Sequence, residues 1–202
     1  MEIITEPISL FSQHNIKKIL MLRQDRLGDV IISLPLFEIF KSNFPEKELH
    51  ICLGEKNIAA QPFVQPFFEK IWYYEKNIFK ILPLISHLNT EHYDLIIDLL
   101  DSPSRTSSIM MKLIKSKYKL GFDKENRDSY THIVPLPDQS SVHIVDRLMN
   151  ILLPFNLSTY DLKPKINIPI NDNIINPIPK NYLKKRLGVN LTGSTKTKFW
   201  GF

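Results

Sequence analysis

At 202 residues, 43% of them hydrophobic and 10% aromatic, the chain has ample material for a buried core, which excludes a disordered or low-complexity segment. A formal charge of +5 and a pI near 9.2 favour anionic partners such as phosphorylated sugars, anionic lipid or nucleic acid, although the lysines are scattered rather than clustered. A single cysteine, Cys52 in the apolar run 49–53, excludes an internal disulfide and fits a reducing compartment.

The first residues combine acidic side chains with no basic flank and do not read as a signal peptide. No apolar stretch in the sequence is long enough to span a bilayer. The expectation is a cytoplasmic protein, at most peripheral to a membrane.

After a polar lead-in, Lys18–Leu22 reads as a short buried strand. The loop Arg23–Leu27 follows, and Gly28-Asp29 opens a helix whose apolar face would be Val30, Ile31, Leu34, Phe37 and Phe40, kinked or tightened at Pro35. Next come a strand over Leu49–Leu53, a loop-helix stretch over Asn57–Phe68 broken by Pro62 and Pro66, a strand over Lys70–Tyr74 and a helix over Ile78–Leu88. Asp94–Leu100 is almost continuously apolar, as a strand covered on both faces should be. A helix over Ser104–Lys115, a strand over Lys117–Phe122, a short strand over His132–Val134 and an amphipathic helix over Val142–Phe155 complete the series.

Such alternation predicts an α/β fold, a Rossmann-like parallel sheet with helices on both faces, spanning residues 1–160. Sites in such sheets lie beyond the carboxyl ends of the strands. The Arg23–Asp29 loop and the Asp98–Arg105 loop would then share one rim. Residues 161–188 are rich in Pro and Asn and read as a linker with a short helix, Lys180–Leu187. Residues 189–202 supply one strand, Val189–Leu191, and a Gly/Ser/Thr/Lys loop, the expected opening of a truncated second domain.

With six glycines there is no GxGxxG and no P-loop. The sequence also shows no metal-ligand cluster of histidines with Cys or carboxylates, no GxSxG and no RNA-binding RNP motif. What remains is RQDRLGDVIISLP over Arg23–Pro35, followed in order by FPEKELHICL, YDLIIDLLDSPSRTS, LGF, HIVDRLMNIL and LTGSTKTKFW. This series resembles glycosyltransferase family 9, the ADP-heptose:lipopolysaccharide heptosyltransferases, over nearly the whole chain.

The resemblance implies a GT-B architecture whose first domain binds acceptor and whose second binds the nucleotide sugar. It implies an inverting, metal-independent transfer needing no cofactor, by a cytoplasmic protein that is at most peripheral to the inner membrane. Asp29 matches the position of the family's base, although Asp at a helix start is also a common cap. Arg23, Arg26, Gly28, Arg105 and His143 are the candidate acceptor contacts, since arginine forks suit phosphate and carboxylate. Each also has an ordinary reading as a loop or helix-start residue. In the terminal loop, Ser194 and Lys198 match positions that contact the donor diphosphate, followed by Trp200.

With so little of a donor domain present, the expectation is an enzyme that is inactive alone and engages an ADP-heptose-like nucleotide sugar only if a donor domain is supplied. Its acceptor would be an anionic glycan or lipopolysaccharide core. The alternative is a non-catalytic module that binds a glycan or lipid-linked sugar. A nucleic-acid partner is not expected, since it would demand steeply salt-dependent DNA binding from scattered lysines. Phe63, Phe67, Phe68 and Trp72 near Lys70 are a candidate for peripheral membrane contact, with core packing as their ordinary explanation.

Overall fold

The computed structural model describes residues 1–157. The linker at 161–188 with its helix Lys180–Leu187, the strand Val189–Leu191, and Ser194, Lys198 and Trp200 lie outside the described residues.

Seven parallel strands form the sheet: β1 (Glu2–Ile3), β2 (Lys18–Arg23), β3 (Glu48–Gly54), β4 (Lys70–Tyr74), β5 (Leu95–Asp98), β6 (Tyr118–Phe122) and β7 (His132–Val134). Their spatial order is β1-β7-β6-β5-β2-β3-β4. Counted from β2, the order from β4 to β7 reads 3-2-1-4-5-6, the doubly wound Rossmann arrangement with its reversal between β2 and β5. The register Ile19↔Leu95 to Leu22↔Asp98 brings the loops after β2 and β5 side by side at that reversal.

The helices are α1 (Leu10–Gln13), α2 (Leu27–Ile32), α3 (Leu34–Asn43), α4 (Gln61–Val64), α5 (Ile78–Thr90), α6 (Arg105–Leu113) and α7 (Ile144–Met149). Side-chain alternation along the strands sorts the core into two layers. Ile19, Met21, Leu49, Ile51, Leu53 and Ile97 meet Phe37 and Phe40 of α3 and Leu148 of α7 on one face. Leu20, Leu22, Cys52 and Ile96 meet Ile85 and Leu88 of α5 and Met110 and Met111 of α6 on the other. Helices on both faces explain why β2 is apolar from Ile19 to Leu22 and β5 from Leu95 to Ile97. Cys52 is fully buried, and burial pushes its thiol up to about 12, so it packs as a small apolar group.

Several local expectations are corrected. The lead-in is part of the fold: β1 pairs with β7, and Ile4, Leu10 and Ile16 are buried. Pro35 does not kink one helix. The chain breaks at Ser33, and Pro35 lies in the first turn of α3, where its missing N–H leaves no helical bond unmade. The last helix is shorter than its apolar pattern, passing into a 3-10 turn over Asn150–Leu152. The aromatic group at 63–72 is core material: Phe68 is buried, Phe63 and Phe67 pack against the core, and Trp72 donates its Nε1–H to Tyr93 at 2.9 Å.

At the amino ends of the strands a charged clamp closes the sheet. Lys18 Nζ lies 2.5 Å from Glu91 and 3.0 Å from Glu48, and Lys70 also pairs with Glu91. The hydrogen bonds from Lys18 and Lys70 hold the Glu91 carboxyl down at about 2, from an ordinary 4.5. A carboxyl depressed in the folded state stabilises fully above its unfolded pKa and loses that contribution as pH falls through the folded value. Acid-unfolding curves of wild type and Glu91→Gln should therefore diverge above about pH 4.5, with wild type the more stable, and converge as pH falls toward about 2. Parallel curves throughout would mean that the clamp contributes nothing.

Candidate functional site

The site is built where β2 and β5 part. Arg23, the last residue of β2, does not stand on the rim as a solvated loop charge. Its side chain is 1% exposed, donates from Nε to the Asp29 carbonyl at 3.0 Å and from Nη1 to the Leu99 carbonyl at 2.6 Å, and pairs with Asp25 at 3.2 Å. The guanidinium thus ties the start of α2 to the loop after β5. Burial and this pairing leave it a holder of the loop, in place of the acceptor contact expected of it.

Asp29 does cap α2, but from its third position: Arg26 is the N-cap residue, and the Asp29 side chain takes its backbone N–H as in a capping box. From the first turn the Asp29 carboxylate accepts the Arg26 backbone N–H through Oδ2 at 2.9 Å, while Ser33 donates to its carbonyl at 2.8 Å. The side chain is half-buried, and Oδ1 has no hydrogen-bond partner among the described residues. One oxygen is thereby anchored by the backbone. Arg26 and Gly28 are exposed beside it.

Asp25, which the sequence reading passed over, sits in the same field as Arg23, Asp29, Asp98 and Asp101. Burial raises its carboxyl above the ordinary value, with Arg23 pulling the other way and the neighbouring aspartates adding to the rise. The loop it occupies is tightly made. Asn57 donates to its carbonyl at 2.6 Å, and a Cβ on Gly54 would come within 2.9 Å of the Gln24 carbonyl, so only glycine lets β3 end this close to the loop.

The neighbouring loop is held from below. Asp98 is completely buried at the end of β5 and accepts hydrogen bonds from Tyr130 at 2.6 Å, from Ser107 and from the Leu100 N–H at 3.1 Å. Lys124 pairs with it at 3.2 Å and also donates to the Leu100 carbonyl. Burial and the adjacent Asp98 charge push the Tyr130 phenol well above its ordinary range, keeping it a donor. A Cβ on Gly121 would lie 2.7 Å from the Tyr130 ring, so the glycine makes room for it.

Above this network the N-cap Ser104 starts α6, and Arg105 is exposed at its first position. Both line an open depression of about 560 Å³ with Ser108 and Asn126. His143 caps α7, accepting the Val145 N–H at 3.3 Å, and is exposed. One turn on, Arg147 is buried, donates to the Pro137 carbonyl at 2.8 Å and approaches Asp101 at 3.6 Å. That contact links α7 to the loop after β5. Asp29, Arg26, Gly28, Arg105 and His143 thus all lie on the carboxyl rim.

The fold also assembles a group that the sequence reading did not foresee. Glu48, His50 and Glu91 place three ligand atoms within 4.8 Å of one another. Their separation along the chain hid them, since neighbouring strand ends bring them together. Lys18 and Lys70 already neutralise the two carboxylates, and His50 is buried with Nδ1 2.7 Å from the Tyr93 hydroxyl. This cluster sits at the amino edge of the sheet, opposite the rim.

The described residues thus form a doubly wound, Rossmann-like domain with a carboxylate at its switch point. Comparison with known proteins agrees. No family model matches the chain. It is 23% identical over 154 residues to lipopolysaccharide heptosyltransferase 3 of Escherichia coli, covering 70% of this chain and 44% of that protein. The protein of the same name from strain K12 is 24% identical over 152 residues, covering 66% and 41%. The chain therefore spans less than half the length of the curated relatives it matches.

Among solved structures, a glycosyl transferase family 9 protein from Veillonella parvula superposes with a TM-score of 0.64 at 21% identity, over 76% of this chain and 45% of that one. E. coli heptosyltransferase WaaC with ADP superposes with a TM-score of 0.62 at 16% identity, over 74% and 50%. Sequence and fold together bear out the resemblance to glycosyltransferase family 9 and its heptosyltransferases.

The two arginines of the first loop should behave differently. Replacing Arg23 by Met strands the Leu99 carbonyl and the Asp25 carboxylate in a buried setting and should cost roughly 3 kcal/mol in urea unfolding. Arg26→Met, at an exposed position, should change stability by less than about 0.5 kcal/mol. Equal effects of the two would refute the placement of Arg23.

Proposed function

We propose that this chain supplies the acceptor side of a heptosyltransferase-like sugar transfer, with Asp29 as the general base. The observation that carries this reading is the Asp29 carboxylate, fixed through one oxygen at the switch point and open at the other. A group so placed can take the proton of an acceptor hydroxyl. As that proton leaves for Asp29, the hydroxyl oxygen bonds to the anomeric carbon of the donor sugar. The bond from that carbon to the nucleotide diphosphate breaks, its electron pair leaves with the diphosphate, and the configuration inverts.

Arg26 and Arg105 supply positive charge on the rim for phosphate or carboxylate groups of an anionic glycan, with His143 and the open backbone at Gly28 alongside. Arg23 acts through the loop it holds. In this reading residues 1–160 form the acceptor-binding domain, 161–188 connect it, and 189–202 begin the nucleotide-sugar side. Ser194 and Lys198 are assigned, from the resemblance, to offset the growing charge of the diphosphate, in a transfer that needs no metal ion. The two WaaC structures, one with ADP and the other with ADP-2-deoxy-2-fluoro heptose, support a nucleotide sugar of that kind as donor. In this reading the transfer takes place in the cytoplasm.

The test combines the full chain with a heptosyltransferase donor domain, ADP-heptose and a lipopolysaccharide inner-core acceptor. Asp29→Asn keeps an acceptor for the Arg26 N–H but cannot take a proton. It should lower kcat by roughly 10³-fold with little change in the acceptor KM. Turnover equal to wild type would remove Asp29 as the base. Acceptor binding unaffected by Asp29→Asn, with no turnover in either protein, would favour a non-catalytic glycan-binding module.

A further inference from the structure

Glu48, His50 and Glu91 lie close together at the amino edge, but the hydrogen bonds around His50 run in one direction. The Trp72 indole N–H can only donate, and it meets the Tyr93 hydroxyl oxygen at 2.9 Å. His50 Nδ1 lies 2.7 Å from the same hydroxyl. If that oxygen accepted from both, its own proton would be stranded, since Tyr93 is buried and has no other hydrogen-bond partner among the described residues. Tyr93 therefore donates to Nδ1, and neutral His50 carries its one proton on Nε2, 3.0 Å from Glu48 Oε1. A protonated Nε2 offers no lone pair to a metal ion.

This chain of bonds crosses the sheet edge. Trp72 belongs to β4, His50 and Glu48 to β3, and Tyr93 to the turn between α5 and β5, while Glu48 reaches Lys18 of β2 at 3.0 Å. The turn is strained, because His92 takes φ 54°, in the left-handed region that favours glycine. It is held by Tyr93, by Glu91 on Lys18 and Lys70, and by Asp94, whose carboxylate accepts the Lys17 and Lys18 N–H groups at 2.8 and 3.0 Å. The charged and titratable groups around His50 are thus Glu48 on its own strand, Lys18 from β2, Lys70 opposite it in register on β4, and Glu91 and Tyr93 from the turn. Burial first, and Lys18 next, hold its imidazole below the ordinary 6.5 against the pull of Glu48 and Glu91.

We propose that His50 is a proton-operated latch on the amino edge of the sheet. Neutral, it ties β3 and β4 to the turn through Tyr93. Protonated on Nδ1, it sets donor against donor, and the Tyr93 bond is lost. The strain at His92 then favours release of the turn, while the carboxyl rim at the other end of the strands stays as it is. The latch is measured without donor or acceptor, so its failure leaves the transfer chemistry standing.

Nitrogen-15 NMR of the full chain, titrated from about pH 8 to about pH 5, tests it. At the upper end Nδ1 is expected at the shift of a bare nitrogen and Nε2 at that of a protonated one. Tyr93→Phe removes the competing proton, and Trp72→Phe opens a place for water to accept it. Both should move the His50 midpoint up toward 6.5. Between its depressed value and 6.5 the unfolded chain binds the proton and the folded one does not, so wild-type stability in urea falls as pH drops below 6.5. His50→Gln should lose that part of the fall and match wild type in its response above 6.5. Amide exchange at 91–94 should rise by about fivefold as His50 charges, beyond the intrinsic change, with 24–30 unaffected. The opposite tautomer overturns the proposal, as does a midpoint that neither Tyr93→Phe nor Trp72→Phe moves, or exchange in the turn that ignores the charge on His50. Zn²⁺ bound by wild type and lost in His50→Gln would make the cluster a metal site and overturn it too.

Discussion

The buried guanidinium of Arg23 is the contact on which the rim depends. A charge that is 1% exposed is costly to desolvate, and its ordinary pKa is lowered by burial, with Asp25 and then Asp29 opposing that. It is tolerated because two backbone carbonyls and a carboxylate take its hydrogens. Those carbonyls belong to Asp29 and Leu99, one from each side of the point where the strand order reverses. A parallel sheet leaves a crevice there in any doubly wound fold. Here the arginine decides how far apart its two lips stand, and so where the Asp29 carboxylate sits.

The second lip rests on Asp98, whose buried charge is answered by Lys124 and by hydroxyl and backbone donors. Networks of this kind contribute little net stability but penalise any other arrangement, because a lost partner leaves a buried charge unanswered. The opposite edge is ordered by a different device, the Lys18, Lys70, Glu48 and Glu91 clamp, which is wetter and weaker. The sheet is thus pinned tightly at the end that carries the site and more loosely at the other. Chemistry that needs a carboxylate held to a fraction of an ångström calls for the first kind of support.

Much of the fold was legible because strands covered on both faces leave long apolar runs, as at 18–23 and 49–53, and amphipathic helices separate them. What escaped has definite causes. The pairing of β1 with β7 joins residues about 130 positions apart and leaves no mark in a two-residue strand. The break at Ser33 escaped because Pro35 within an apolar helix pattern reads equally as a kink or a fresh start. At the candidate site, sequence spacing within RQDRLGD could not say which arginine turns inward. Arg23 differs from Arg26 by belonging to the strand, so its side chain meets the sheet end instead of solvent. Glu48, His50 and Glu91 were missed because only strand register brings them together.

The central claim is that the carboxyl rim around Asp29 holds an anionic glycan. Its most direct test is an amide NMR titration of the full chain with a phosphorylated inner-core lipopolysaccharide oligosaccharide. The account predicts saturable shifts concentrated in 24–30, 99–106 and the start of α7 at His143, with the amino edge around Glu48 and Glu91 unmoved. Shifts confined to that amino edge, or none at saturating ligand, would contradict it.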